Sequence, residues 1–223
     1  MKIKCKSDNQ SKQKVIVVYQ KKSYLVTKRV TDFIGSVIGI ILFLPICIFI
    51  AIIIKFQDRG PVFFKQKRVG KNGSYFYMYK FRSMCIDAEK LKFTILEKNE
   101  IDGAMFKMKN DPRITKFGRF IRKHSLDELP QLINILLGDM SLVGPRPPLV
   151  EEVQKYNAYQ KQRLLVRPGL SGLWQISGRN NLSFEEMVEL DIEYIRNPSM
   201  FLDVMIIVKT IYGMFNTKEN GAF

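Results

Sequence analysis

Apolar residues along this chain fall into one long block and a series of short periodic ones. Phe33 to Ile54 is a run of 22 residues without a charge, bracketed by Lys28-Arg29 and Lys55. At 1.5 Å per residue such a run can cross a hydrocarbon core of about 30 Å, which predicts a membrane-embedded helix. It starts too late and runs too long for a secretory signal, and no small-residue cleavage site follows it. Pro45 stands near its centre, where a proline removes one backbone hydrogen bond and bends the helix. Nine Lys/Arg lie in residues 1–32 and eight in residues 55–82, so both flanks favour the cytoplasm. The expectation is therefore a re-entrant helix-break-helix over residues 28–56, turned back at Pro45. Each leg of about 11 residues would reach roughly 16 Å, near the bilayer midplane.

Beyond it the pattern changes period. Pro61–Val69 and Ser74–Arg82 carry aromatic and β-branched residues around the four-residue loop Gly70-Lys-Asn-Gly73, which predicts a β-hairpin with no further strands extending it. Residues 86–110 read as a charged helix and loop, and Asp111-Pro112 turns the chain into a basic helix from Ile114 to Lys123. Ser125-Leu-Asp-Glu128 fits a capping box, with Ser125 as N-cap and Glu128 at N3, opening a helix over 126–137 that stops at Gly138. Pro130 makes its first turn irregular. Gly144-Pro-Arg-Pro-Pro148 is a stiff loop that displays Arg146, and 149–165 reads as a polar helix. Residues 167–179 form a glycine-punctuated loop ending in Arg179, with a spacing that matches no P-loop or dinucleotide fingerprint. Ser183-Phe-Glu-Glu186 is a second capping box, opening a helix to about Arg196. A last helix, from Pro198 to about Phe215, is apolar enough on one face to lie along a membrane surface. No internal repeat or low-complexity segment interrupts this order.

Charge narrows the partners. The 36 basic and 21 acidic residues leave a formal charge of +15, which suits a polyanion: nucleic acid, an anionic membrane face or phosphorylated substrates. Cys5, Cys47 and Cys85 show no paired spacing and read as reduced thiols. His124 is the only histidine, which excludes His-rich metal sites and any Ser-His-Asp triad built elsewhere. A Cys85–His124 pair remains, against the preferred reading of a neutral surface histidine.

Asp127 and Glu128 carry the candidate chemistry. Two acidic residues at a helix start are ordinary capping and dipole partners. Three features favour chemistry instead: the irregular turn at Pro130, the basic cluster Arg119, Arg122 and Lys123 just before, and Arg146 just after. Carboxylates ringed by arginines suit reactions of phosphates, one as nucleophile and the other holding a divalent cation.

In order along the chain stand Lys28-Arg-Val-Thr-Asp32, Gly60-Pro-Val-Phe-Phe-Lys-Gln-Lys-Arg-Val-Gly70, Tyr79-Lys-Phe-Arg-Ser-Met84 and Asp111-Pro-Arg-Ile-Thr115. Ser125-Leu-Asp-Glu-Leu-Pro-Gln131, Gly138-Asp-Met-Ser-Leu-Val-Gly-Pro-Arg-Pro147, Arg167-Pro-Gly169 and Gly178-Arg179 follow. With these motifs the chain, from Lys28 to about Gly213, resembles the small monotopic phosphoglycosyl transferases, the bacterial sugar transferase domain that primes glycan assembly on a polyprenyl carrier. The resemblance implies that Asp127 attacks the β-phosphorus of a UDP-sugar, expels UMP and holds a covalent phosphosugar that polyprenyl phosphate then takes. Glu128 would orient the site or share with Asp127 in binding Mg²⁺ (Mn²⁺ as the alternative). Lys80, Arg82, Arg122, Arg146 and Arg179 would hold phosphate or nucleotide oxygens, and Lys28, Arg29, Asp32 and Pro45 would shape the hairpin. The implied fold is α+β and mainly helical: a basic mobile arm (1–27), the re-entrant hairpin (28–56), a compact cytosolic catalytic domain with a small β-hairpin and interfacial amphipathic helices (57–215), and a tail (216–223). The implied setting is the cytoplasmic face of a bacterial inner membrane, in capsule or exopolysaccharide synthesis. Membrane lipids, downstream glycosyltransferases and a second copy are the further partners there, rather than nucleic acid. Many members have Ser before the hairpin proline, where this chain has Leu44. Two other classes remain open at this point: a membrane-tethered module binding acidic lipid or nucleic acid, and a sugar-nucleotide hydrolase.

Overall fold

The computed structural model describes residues 21–88, 90–91, 108, 111–178 and 182–215. Most of the basic arm, most of the charged segment 86–110, Arg179 and the tail lie outside the described residues. Helix α1 (Lys22–Asp58) holds 37 residues and begins well ahead of the apolar run, so Lys22–Thr27 form its first turns rather than part of an arm. It continues through Pro45 without interruption, and the break expected there is not a break in helical backbone. Proline removes only its own N–H bond, and packing on both sides of it holds the helix. Asp32, Ser36, Ile50 and Ile54 are buried, with Ile40, Phe43 and Cys47 packed between them. That stripe keeps a spacing of three to four residues across Pro45, so one face of α1 lies against the protein body from end to end. The other face presents Phe33, Ile34, Ile38, Leu42, Phe49 and Ile52 outward. Only 11% of its most apolar 18-residue stretch is buried, which is not the environment of a soluble core helix.

Polar ties fix α1 at several points. Lys28 Nζ lies 3.0 Å from Asp203, Arg29 donates to the carbonyls of Ile135 (2.7 Å) and Leu136 (2.9 Å), and Asp32 accepts from Ser141 Oγ (3.0 Å) and Leu142 N (2.9 Å). At the far end Arg82 clamps Asp58, with Nη1 2.6 Å from Oδ2.

Strands β1 (Phe63–Val69) and β2 (Tyr75–Phe81) form the expected antiparallel hairpin, registered from Phe63↔Phe81 to Val69↔Tyr75. Helix α2 (Lys116–Lys123) is capped by Thr115, whose side chain accepts from Gly118 N, and α3 (Gln131–Leu137) stops at Gly138 with φ 94°, as the sequence predicts. Asn134 on α3 is fully buried. Its Oδ1 accepts from Tyr79 N at 3.0 Å and its Nδ2 donates to Tyr77 O at 2.8 Å, so the amide stands where a third strand would pair with β2.

A second sheet was not anticipated: β3 (Ser141–Val143) pairs in parallel with β4 (Gly169–Ser171), inside the stretch read as loop. A Cβ on Gly169 would sit 2.0 Å from the backbone N of Gly144, so only glycine permits this approach. The polar helix expected over 149–165 is instead α4 (Val150–Gln154) and a 3₁₀ segment, Gln160–Leu165. The chain must turn between them to carry Arg163 inward, where it pairs with Asp191 on α6 (Phe184–Arg196) at 2.6 Å with both side chains almost fully buried. The Ser183–Glu186 capping box forms as expected. A four-residue helix α5 (Leu173–Ile176) follows β4, and α7 (Met200–Phe215) ends the described chain. Helix α7 buries Asp203 and Ile206 and exposes Phe201, Val204, Val208 and Ile211 along one stripe.

Asn134→Leu leaves Tyr79 N–H and Tyr77 C=O without their partner, and a stranded group of this kind costs about 1–3 kcal/mol. Urea unfolding in detergent should show a loss of roughly 2 kcal/mol or more. An unchanged midpoint would mean that α3 is held by its apolar contacts alone.

Candidate active site

The carboxylate pair sits at a sharp turn between α2 and α3. Ser125 adopts the left-handed region at φ 55° and makes no side-chain cap, so the capping box expected here does not form. Leu126–Glu128 is a single 3₁₀ turn, and α3 starts only after Pro130. The reason is local. A left-handed Ser125 redirects the chain, and Pro130 delays the helix, which frees both carboxylates from capping duty. Glu128 Oε1 instead meets Lys80 Nζ at 2.6 Å. Asp127 is 6% exposed. Burial pushes its pKa up to about 6. Lys80 and Arg122 pull against that shift, and the adjacent Glu128 adds to it.

Beside the pair opens a small cleft of about 130 Å³, below the usual size of a site that encloses a whole small molecule. Lys80 and Glu128 line one end, and Arg68, Arg146, Gly169, Trp174 and Gln175 line the rest. Asp127 is not among the lining residues. The stiff loop does display Arg146 into this cleft, but its guanidinium already bonds Glu152, Nη1 to Oε2 at 2.9 Å. Burial would raise the Glu152 pKa, but Arg146 and the N–H of Leu149 outweigh it and hold the carboxyl below its ordinary range. The loop rests on the buried Arg163, which donates through Nε to Asp191 (2.8 Å) and through Nη1 to Tyr156 Oη (2.8 Å) and brings Nη2 within 3.5 Å of Arg146 O.

The other sequence-derived candidates divide. Arg122 donates to Ser83 Oγ at 2.8 Å and lies close enough to act on the Asp127 charge. Arg82 does not reach the cleft: it is spent on Asp58 and on Pro61 O at 2.6 Å. Lys28, Arg29 and Asp32 hold α1 to the body, and Arg179 lies outside the described residues. His124 packs its ring 4.9 Å from that of Phe120 and sets Nδ1 3.2 Å from Met214 O, at the end of α7. Arg68 was not singled out from sequence. It is buried, donates to Pro147 O (2.9 Å) and to Gln66 Oε1 (2.5 Å), and is pulled down to about 9 by burial and then by Arg146. Its place in β1, two residues from Gln66 and so on the same face, was the only available sign.

Among the described residues no three His, Cys, Asp or Glu side chains converge. Two adjacent carboxylates do fit Mg²⁺, which takes one or two protein carboxylates and completes its shell with phosphate oxygens and water.

The family described as bacterial sugar transferase matches residues 23–217. The chain is 52% identical over 194 residues to the galactosyl transferase CpsE of Streptococcus agalactiae serotype III (strain NEM316), which covers 86% of the chain and 43% of that protein. It is 42% identical over 194 residues to the undecaprenyl-phosphate galactose phosphotransferase of Salmonella typhimurium, covering 85% of the chain and 40% of that protein. The exopolysaccharide production protein ExoY of Rhizobium meliloti is 43% identical over 188 residues, 82% of the chain and 83% of ExoY. The chain thus spans about two fifths of the length of the first two and most of the third.

The folded pKa of Asp127 lies above the ordinary aspartate value of 3.8, so ionisation opposes the fold. This group's favourable contribution is complete below about pH 4 and is lost as the pH rises through about 6. A ¹³C NMR titration of aspartate carboxyls should give a midpoint near 6 for Asp127. Lys80→Met should move it higher, because Lys80 is the strongest charge pulling it down. A midpoint in the ordinary carboxylate range for both proteins would show the group to be solvated.

Proposed function

The chain belongs to the bacterial sugar transferase family, and from that premise we propose that it transfers a sugar-1-phosphate from a UDP-sugar to polyprenyl phosphate, as the first membrane step of capsule or exopolysaccharide synthesis. The observation that carries this reading is the buried Asp127 beside the Lys80–Glu128 pair, at the end of a cleft lined by Arg68 and Arg146. The reading is supported by the Salmonella relative, an undecaprenyl-phosphate galactose phosphotransferase, and CpsE, a galactosyl transferase, points to the same sugar.

Asp127, with a pKa of about 6, is mostly ionised at pH 7. One carboxylate oxygen attacks the β-phosphorus of the UDP-sugar, the bond from that phosphorus to the bridging oxygen breaks, and UMP leaves. The phosphate oxygen of the carrier then attacks the same phosphorus. That step releases polyprenyl-diphospho-sugar and restores Asp127. A phosphate entering the cleft competes with Glu128 for Lys80, and this loosens the pair in front of Asp127. Arg122, and Arg146 through the N–H groups it keeps beyond its bonds to Glu152, supply donors for phosphate oxygens. Asp127 and Glu128 would hold Mg²⁺, which offsets the repulsion between a carboxylate and a diphosphate.

The same reading places α1 on one side of the membrane. Lys28 and Arg29 near its start and Asp58 at its end are bonded to a single polar body, and the outward face between them is apolar. A straight span would drag that body into lipid. With both ends cytoplasmic, the carrier phosphate and the sugar nucleotide meet at the headgroup layer.

Protein purified in detergent should release UMP from one member of a UDP-sugar panel, UDP-galactose being tried first, only when polyprenyl phosphate is present in more than stoichiometric turnover, and not in EDTA. With UDP-sugar alone, the peptide containing Asp127 should gain one hexose-phosphate, and Asp127→Asn should lose both adduct and turnover. Carrier-independent turnover would indicate a hydrolase, and no release at all a binding module.

Single cysteines at positions 11 and 72 in a cysteine-free background should resist a membrane-impermeant maleimide in intact cells and react once the membrane is opened. Labelling at position 11 alone in intact cells would mean a spanning helix with the N-terminal segment outside.

A further inference from the structure

Two buried donors in the cleft have no acceptor among the described residues: Nε of Arg68 and Nε1 of Trp174. Both residues line the same cavity. A buried donor left unmatched costs about 1–3 kcal/mol, so two that share one cleft mark a place where a ligand oxygen completes the structure. The two other nitrogens of Arg68 each have a partner, Pro147 O and Gln66 Oε1, and these bonds fix the guanidinium with Nε as its one unmatched nitrogen. Arg146 lies close enough for its charge to be felt at Arg68. Glu152, bonded to Arg146, and Glu128 balance part of that charge, yet a buried guanidinium with an unmatched N–H still favours an anionic acceptor over a neutral one.

The hairpin register says which part of the substrate comes here. Lys80 pairs with Phe64, Met78 with Gln66 and Phe76 with Arg68, so Lys80 and Arg68 stand two cross-strand steps apart on one face of the hairpin. That separation is about 13 Å along the strand at roughly 3.3 Å per residue, shortened by two long side chains. The reacting phosphate belongs at the Lys80 end, beside Asp127. A group that continues from it along the cleft reaches Arg68.

We infer that Arg68 Nε and Trp174 Nε1 together hold the phosphate that stays with the departing nucleotide. The inference rests on the transfer reaction proposed above for the identity of that nucleotide. The pair acts by binding: it seats the donor so that its β-phosphorus faces Asp127, and it takes up the charge that the bridging oxygen gains as UMP leaves.

Trp174 is the only tryptophan in the chain, which makes its indole N–H a single, self-assigned reporter. In ¹H–¹⁵N spectra of the full chain in detergent, UMP should move the indole resonance downfield. Uridine should leave it in place, and so should a short-chain prenyl phosphate. Arg68→Lys and Trp174→Phe should each weaken UMP binding by about tenfold or more, the usual loss for one hydrogen bond to a charged group. Thermal melting without ligand shows whether each variant is folded, and Trp174→Phe, which only removes the N–H and a ring, guards against misfolding of the buried arginine variant. An indole that answers to uridine as it does to UMP would assign the pair to the base and overturn the inference. An indole that answers only to prenyl phosphate, or UMP affinity unchanged in folded variants, would overturn it too. The transfer reaction stands or falls separately, on UMP release by the unaltered protein.

Discussion

Asn134 occupies the place that a third strand would fill, and the geometry of the candidate site follows from it. Its amide bonds the backbone on either side of Met78, fixing α3 against β2. Lys80 directly follows Tyr79 on β2, and Asp127 and Glu128 sit just ahead of α3. The Lys80–Glu128 contact, and the burial of Asp127 behind it, therefore depend on where one side chain docks a seven-residue helix. A helix so short has little stability of its own. Tertiary contacts hold it, and this amide is the most specific of them.

The same economy of polar contacts recurs across the body. Arg163 and Asp191 are both almost fully buried, and such a pair is weak grounds for stability yet strongly constrains geometry, since removing either partner leaves a bare charge inside. Here it supports the carbonyl of Arg146 and so the stiff loop that forms one wall of the cleft. Arg29 plays a comparable part at the other end of α3, where it donates to the last-turn carbonyls of Leu136 and Ile135, the latter also bonded by Gly138 N. The surplus of positive charge is thus not all displayed outward. Part of it is built into the framework.

How much of this was legible in the sequence depends on range. The hairpin was, because aromatic and β-branched content and a glycine-bounded loop are local properties, and so were the Ser183 capping box and the stop at Gly138. The Ser125 box was misread: the same four-residue spacing serves a capped helix and a left-handed turn, and only the backbone distinguishes them. Strands β3 and β4 have three residues each and pair across 28 positions, too short for a period and too far apart for a turn rule. Arg82 and Lys80 share the spacing of one strand face, but β2 ends at Phe81, and beyond its end Arg82 turns to Asp58 while Lys80 keeps to the cleft. The carboxylate pair itself stood out because its surroundings are rich in arginine over a short stretch. Arg68 did not, since its importance comes from a cavity assembled by four distant segments.

The ties along α1 carry a consequence for how the protein is made. Lys28 finds Asp203 only 175 residues later in the chain, and Asp32 finds Ser141 only after 109. At the usual pace of a ribosome, about 5–20 residues per second, α1 leaves the exit tunnel roughly ten seconds or more before its last partner exists. During that interval a helix with an apolar outer face carries an unmatched lysine and aspartate on the other. Lipid can shelter the first face but not the second. The polar face of α1 is therefore completed by the final helix rather than by the first, and the ties that seat it are among the last parts of the fold to form.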